Sequence, residues 1–375
     1  MTEWRKVKLG EILQVKKGEY ITKKEAREGV YPVILGGKEP AYYIDKYNHT
    51  GKAIVISRSG ASAGYVSYWN EPIFVTDGFL IEPNDNVTFD FLYYALKSKQ
   101  RLLHSSQKGA AIPHVTPALI NSIEALLPKL DIQRRIAEVL SCYDNLIENN
   151  MHRIRLLEQM SENIYKEWFA YNKIKYNSKE VRLTDIVSIT RGLSYSSEEI
   201  NCAEGNNLIN LKNIQAYGGF RPDGTKKYNG RYKLEQVVRE SDLIMGVTDM
   251  TQDRRTVGSV ALIPNIENLS VISADLIKLN SDIDNIYLYS MFKFGNVSRY
   301  IAQFANGANV LHLRPQALHN IKILLPSDEM IQQYVKQVKP MIGLTNKLNN
   351  NNDLLTRQRD LLLPRLMSGK LEVKG

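Results

Sequence analysis

The sequence predicts an α+β chain built as an internal repeat. Two strand-rich modules with short helices alternate with two long helices, which pair as an antiparallel coiled coil. Three observations predict this: a frame of motifs that occurs twice, a change of texture after each Leu-Leu-Pro, and two extended stretches of helical apolar periodicity. The 375 residues, 43% hydrophobic and 24% charged, suit two or three ordinary domains with a sizeable core. Disordered and collagen-like classes are excluded by the same balance.

The first module opens with Val7-Lys8-Leu9-Gly10-Glu11-Ile12 and Gly18, and the second with Val181-Arg182-Leu183-Thr184-Asp185-Ile186 and Gly192, 174 residues later. Each reads as a strand-like opening. The modules close on Gly109, His114-Val115-Thr116-Pro117 and Ile123 to Pro128, matched 198 residues later by Gly307, His312-Leu313-Arg314-Pro315 and Ile321 to Pro326. Between those anchors the second copy has gained 24 residues, the difference of the two offsets. The ends of the unit are kept and its middle has diverged.

After Pro128 the apolar residues advance mostly by three and four, through Ile132, Ile136, Val139, Tyr143, Leu146, Ile147, Met151, Ile154, Leu157, Met160, Ile164 and Trp168. A helix from Asp131 to near Asn172 would span ~38 residues and roughly 57 Å. After Pro326 the same rhythm carries Met330, Tyr334, Val338, Met341, Leu344, Leu348, Leu355 and Leu362. Such long stripes can bury each other, with Ile136, Val139, Tyr143, Leu146, Ile154, Leu157 and Trp168 facing Val338, Leu348, Leu355 and Leu362, or serve partner contacts. Packing of each helix on its own module is the alternative. Pro340 should kink or split the second helix, because it removes a donor and crowds the preceding turn; Pro364 lies near its stop. Asn149-Asn150 and the run Asn349 to Asn352 interrupt both stripes, either as register-setting polar residues or as loops. The resulting divisions are 1–129, 130–172, 173–327 and 328–375.

The net charge of +9 points toward a polyanion. Residues 131–170 hold five basic and seven acidic groups and residues 328–370 seven and four, so the helices carry +1 and the modules with their linkers +8. In the first module Lys16-Lys17, Lys23-Lys24, Lys38 and Arg58 cluster beside Gly18, Gly36-Gly37 and Gly60. The run Ala53 to Tyr65 reads as a buried strand opening into a small-residue loop, where Arg58, Ser59, Ser62 and Tyr65 could meet phosphate and base edges. Lys108 is a further candidate.

At the corresponding place in the second module, Leu243 to Gly246 leads into Thr248, Thr251, Gln252, Arg254 and Arg255, side chains suited to directional base contacts. Asp249 and Asp253 would orient the arginines or accept from a cytosine amine. Arg191, Lys212-Asn213, Tyr217-Gly218-Gly219 and Lys226-Lys227-Tyr228 add basic, amide and aromatic groups. For every one of these loops a merely solvated turn is the competing reading. His114 and His312 read as structural hydrogen-bonding residues, and Cys142 and Cys202 as packing residues.

No Asn-Pro-Pro-Tyr strip, G-x-G-x-x-G or phosphate loop occurs, and Pro222-Asp223 lacks the acidic-x-Lys partner of a metal nuclease. Catalysis is therefore expected in other chains. With no apolar leader at Met1-Thr2-Glu3-Trp4-Arg5 and no membrane-spanning run, the expected location is cytoplasmic.

The phrases Leu127-Pro128-Lys129-Leu130-Asp131-Ile132-Gln133-Arg134-Arg135-Ile136-Ala137, Ile164-Tyr165-Lys166-Glu167-Trp168-Phe169 and Leu361 to Gly369 resemble the conserved helical regions of the specificity subunits of type I restriction-modification systems. Leu211 to Ile214, Asp242 to Met245 and Ile272 to Leu276 resemble strands of that family's target recognition domains. The likeness covers nearly the whole chain. It implies that each recognition domain reads half of a split DNA target, and that the paired helices fix the gap and dock two methyltransferase subunits. It further implies that S-adenosylmethionine, Mg²⁺ and ATP reside in partner subunits, which can include two restriction/translocase chains. Pro340 and the Met330-Ile331-Gln332 opening depart from the family pattern. Because the two middles differ, the half-sites should differ, unlike the palindrome of a homodimeric repressor. A stand-alone DNA-binding regulator and a coiled-coil interaction protein are the alternatives.

Overall fold

Val7 and Val181 lie in the strands that close their modules, Arg5–Lys8 on Glu124–Leu127 and Ser178–Arg182 on Lys322–Pro326, both antiparallel. Val7 faces Ala125 and Val181 faces Ile323, so both partners obey the offsets of the sequence repeat. Equivalent hydrogen bonds follow: Leu9 N to Ile123 O and Leu183 N to Ile321 O are each 2.8 Å. Gly18 N to Gly78 O and Gly192 N to Leu276 O are 3.0 and 3.1 Å. The structure, a computed structural model, describes residues 4–22, 26–37, 39–105, 114–171, 178–200 and 202–373. Lys23, Lys24, Lys38, Lys108, Gly109 and Asn172 lie outside them.

Each module is built on an antiparallel four-stranded sheet of one topology. The first has the order Leu13–Lys17, Gly78–Pro83, Lys52–Ser57, Val66–Asn70; the second has Ser188–Arg191, Leu276–Asn280, Leu243–Gly246, Val260–Leu262. The central strand Lys52–Ser57 is a β-branched run because both faces are covered. Ile54 and Ile56 pack with Phe79 and Ile81 toward the helices, while Ala53 and Val55 join Ile34, Ile73 and Val75 on the other side. In the second module Leu243 and Met245 face one core and Ile244 the other, by the same alternation.

A smaller sheet flanks each. It is Tyr43–Ile44, Glu28–Ile34, Phe74–Val75 in the first module and Lys226–Tyr228, Asn206–Ile209, Ser270–Ile272, Val237–Val238 in the second. Gly78 and Leu276 already stand 198 apart, so the added residues all fall before that strand, and the fourth strand Val237–Val238 is part of them.

The long helices are Leu130–Tyr165 and Asp328–Met367. The chain divides into one unit of residues 1–149 and 351–375 and another of 150–350, so each unit holds half of each helix. In the first unit Asp144 meets Arg359, and Ile147 accepts from Asn352 Nδ2 at 3.5 Å. In the second, Ser161 Oγ lies 3.6 Å from Met341 Sδ and the Tyr165 and Tyr334 rings are 5.9 Å apart. Rising numbers on one helix meet falling numbers on the other, so the pairing within each unit is antiparallel.

Several expectations for the helices are corrected. Leu146 is 53% exposed, as are Met151 and Met160 to similar degree, because the covered seam runs through buried Ile136, Leu140, Asn150 and Ser161 and half-buried Ile147, Ile154 and Leu157 and leaves them one step outside it. Asn149, Asn150 and Asn349 to Asn352 are helical, not loops, and Asn150 is buried in the seam. Pro340 does not split the second helix. It faces solvent next to exposed Lys336, whose unpaired carbonyl water can satisfy. The first helix ends at Tyr165, short of Asn172, and continues as a π turn over Lys166–Ala170. That wider turn brings two successive aromatics, Trp168 and Phe169, onto the Tyr334 ring at 6.4 and 5.1 Å. Cys142, expected to pack, is exposed. Among the described residues no helix is long and apolar enough to cross a membrane.

Candidate nucleic-acid interface

Two loops leave the central strands at equivalent points. Val115 N donates to Arg58 O at 2.9 Å and Leu313 N to Val247 O at 2.8 Å, which aligns Ser59 with Thr248. Ser59 bridges His114, and Thr248 pairs with His312, through the backbone; both imidazole-bearing residues are exposed. At that point the two modules share one side-chain device. The Ser59 hydroxyl donates to the Asp77 carboxylate, and the Thr248 hydroxyl donates to Asp275 Oδ1 at 3.1 Å. Asp77 and Asp275 stand 198 residues apart, and their carbonyls accept from Arg58 N and Val247 N at 3.2 and 2.9 Å. A carboxylate thus clamps the base of each loop by side chain and backbone together.

In the first module the loop after Ser57 closes on itself, with Gly64 N donating to Ser57 O at 2.8 Å and Ser57 N to Tyr65 O at 3.0 Å. Gly60 and Gly64 sit at φ +79° and +82°, a region that only glycine enters without strain. Arg58 leans toward Asp77, 3.8 Å away, and lines a cavity of about 610 Å³ with Lys17, Gly18 and Tyr20. Tyr20, 86% exposed, was not anticipated; a lone aromatic after Gly18 gives no periodic signal. Lys16 points to the opposite face of its strand, where it pairs with Glu82 at 2.7 Å. Ser62 and Tyr65 border a separate hollow with Gln100, Arg101 and His104.

The second module's loop is organised by Asp249. Its Oδ1 accepts from Thr251 N at 2.8 Å and Thr251 Oγ1 at 2.9 Å, and its Oδ2 from Thr256 N at 2.7 Å. Burial pushes this carboxyl up, but the donations from Thr256 and Thr251 outweigh burial and hold it below the usual carboxylate range. Asp249 is 2% exposed and orders the loop backbone, so it is neither an arginine partner nor a free acceptor for cytosine. Asp253 does hold Arg255, at 2.7 Å. Gln252 donates to Ala308 O at 2.9 Å, and Arg254 takes φ +52° at the turn.

Two further candidates are withdrawn as base readers. Asn213 is fully buried, donating to Arg221 O and Thr225 Oγ1 at 2.7 and 2.8 Å, and Thr248 is 6% exposed and spent on Asp275. Burying an amide requires such partners, which is why a turn-capping Asn and a base-reading Asn look alike in sequence. Lys212 and Arg191 are exposed, Lys227 donates to Asn207 Oδ1 at 3.2 Å, and Lys226 lies 5.6 Å over the Tyr195 ring. Lys226 and Lys227 belong to the smaller sheet rather than to the Asp249 loop. Tyr217 does reach that loop, its N–H donating to Arg255 O at 2.8 Å.

Two modules of one topology, each clamping a loop of cationic and polar side chains at the same point, define a protein of tandemly repeated modules. The chain belongs to the family of type I restriction-modification DNA specificity subunits. The model described as "Type I restriction modification DNA specificity domain" matches residues 1–159 and again 176–356, one match per module. The chain is 22% identical to the type I restriction enzyme MjaVIII specificity subunit of Methanocaldococcus jannaschii, over all of this chain and 94% of that protein. It is 25% identical to the MjaIX specificity subunit of the same organism, over 86% and 78% of the two chains. In fold it is similar to the crystal structure of the S subunit of the M. genitalium type I restriction-modification system, with a TM-score of 0.64 at 19% identity, covering 98% and 96% of the two chains.

Proposed function

We propose that the chain is the non-catalytic reader of an asymmetric, bipartite DNA target. The first module reads one half-site through Lys17, Arg58, Ser62 and Tyr65, and the second reads the other through Thr251, Gln252 and Arg255. The observation that carries this reading is the pair of loops clamped alike by Asp77 and Asp275 yet lined by different side chains. Equal anchoring with unequal chemistry is what a reader of two unlike half-sites requires.

The long helices are assigned the spacing between half-sites and the docking of two methyltransferase subunits. Antiparallel pairing inside each unit supports the first role. Exposed apolar side chains on the helices, among them Leu146, Met151, Leu156 and Met160, support the second, since a partner would cover them. S-adenosylmethionine, Mg²⁺ and ATP are assigned to the methyltransferase and any restriction/translocase partners. Mapping methylated positions in the host genome with and without this chain tests the proposal. Loss of methylation at one split, non-palindromic motif is expected; an unchanged methylation map would refute it.

A further inference from the structure

A cavity of about 250 Å³ in the second unit, between the module of residues 178–327 and the end of the first long helix, is bordered by Glu162, Lys166, Tyr217, Arg254, Ser298 and Arg299. Three arginines near the candidate loops are paired with a carboxylate, Arg58 with Asp77, Arg221 with Asp223 and Arg255 with Asp253. Arg254 and Arg299 are exposed, and among the described residues neither has a carboxylate within ion-pair distance. The other charges of the wall, Lys166 and Lys293, are matched by Glu162 at 2.6 Å and Glu158 at 3.1 Å. The unmatched positive charge of the cavity is therefore that of two guanidinium groups.

Their positions are fixed by the fold. The Arg299 guanidinium lies 5.6 Å over the Tyr217 ring, and Tyr217 is tied to the Arg254-Arg255 backbone by its N–H. Tyr217 and Arg254 both hold positive φ, +65° and +52°, conformations that cost energy in residues with a side chain. Ser298 is 7% exposed, and among the described residues its buried hydroxyl meets no hydrogen-bond partner. Two unmatched like charges border one hollow whose wall includes Ser298, an arrangement whose repulsion an anion with several acceptor oxygens would offset.

We infer that this cavity of the second unit binds a phosphate group, with the DNA backbone as its source, through Arg254, Arg299 and the Ser298 hydroxyl. The inference rests on the DNA-reading role proposed above and moves Arg254 from base reader to backbone contact. A backbone contact positions the module on the duplex without reading sequence.

The test compares the full wild-type chain with Arg254→Gln, Arg299→Gln and Ser298→Ala. Fluorescence anisotropy follows binding to a duplex carrying the mapped target and to a scrambled duplex, across about 50 to 200 mM KCl. Each arginine variant should weaken both duplexes by the same factor and flatten the slope of log affinity against log salt by about 0.9. Ser298→Ala should weaken both without altering that slope. A change in the ratio of target to scrambled affinity would make these residues base readers and overturn the inference. Unchanged affinity and slope in both arginine variants would overturn it too. Calorimetry with inorganic phosphate separates the sources. Heat that the wild type gives and Arg299→Gln lacks, with the duplex slope unaltered, would reassign the cavity to a free phosphate and refute the backbone source. If the wild type binds no duplex even with its methyltransferase subunits present, the DNA-reading role itself fails, while the calorimetry still decides whether the cavity takes phosphate.

Discussion

Asp249 shows how a single buried carboxylate can shape a surface loop. Its four oxygen-directed bonds, from Thr251 N, Thr251 Oγ1, Thr256 N and the longer Val257 N at 3.4 Å, leave Gln252, Arg254 and Arg255 outside. Because the folded carboxyl titrates below its unfolded value, its stabilisation is complete above about pH 4 and is lost as pH falls through the depressed folded value. Unfolding measured between about pH 2 and 6 should therefore lose stability more steeply in the wild type than in Asp249→Asn. Parallel profiles would contradict the loop assignment. Arg255→Ala should alter preference at the second half-site alone, by ~1–3 kcal/mol per lost base contact, read as the ratio of methylation at variant sites. Equal effects at both half-sites would remove Arg255 from the reading set. Arg255, Arg58 and Lys17 could be proposed from sequence because basic residues next to turn-forming segments carry a compositional signal. Asp77, Asp275 and Arg299 were not, since a lone charged residue acquires meaning only when register brings it to a partner.

At the scale of elements, periodicity located both long helices but not their buried seam. A stripe that contains Leu146 and Ile147 together is wider than one partner can cover, and packing selects Ile147. A cluster joins the helices to the first module: Asp144 accepts from Tyr94 OH at 2.7 Å and also pairs with Arg359, joining the Phe89–Ser98 helix to both long helices. In the second unit Lys293 bridges Glu158 and Tyr289 at 3.1 and 3.0 Å. Burial alone would lower its pKa, but Tyr289 and Glu158 more than offset this and hold the ammonium charged. The contacts of Asp144 with Tyr94 and Arg359 and of Lys293 with Glu158 were not readable from spacing, because those partners lie 50 to 215 residues apart; only Tyr289 and Lys293 stand four apart on one helix. The uninterrupted second helix makes Pro340 a stability liability. Pro340→Ala restores a backbone donor and should stabilise by ~1–3 kcal/mol, raising Tm. A lower Tm would mean that the ring itself supports the helix.

For the whole molecule, the repeat frame was legible because both copies keep the same motifs at constant offsets, and the register of the closing strands repeats those offsets. The 24 added residues were counted in sequence, but their use as a fourth strand depends on non-local pairing that no local pattern encodes. If the helices set the gap, inserting about two turns into each, seven residues at 149/150 and seven at 350/351, should lengthen the tolerated gap and leave both half-sites intact. Altered half-sites with an unaltered gap would sink the ruler proposal. The frame bonds, Leu9 to Ile123 and Leu183 to Ile321 among them, use backbone atoms alone and make no demand on the variable middle. Between such backbone-held seats the interiors of the two copies differ by 24 residues, a difference the shared frame accommodates. If the modules read DNA as proposed, exchanging one interior would change one half-site and leave the other, much as a lock accepts a new cylinder.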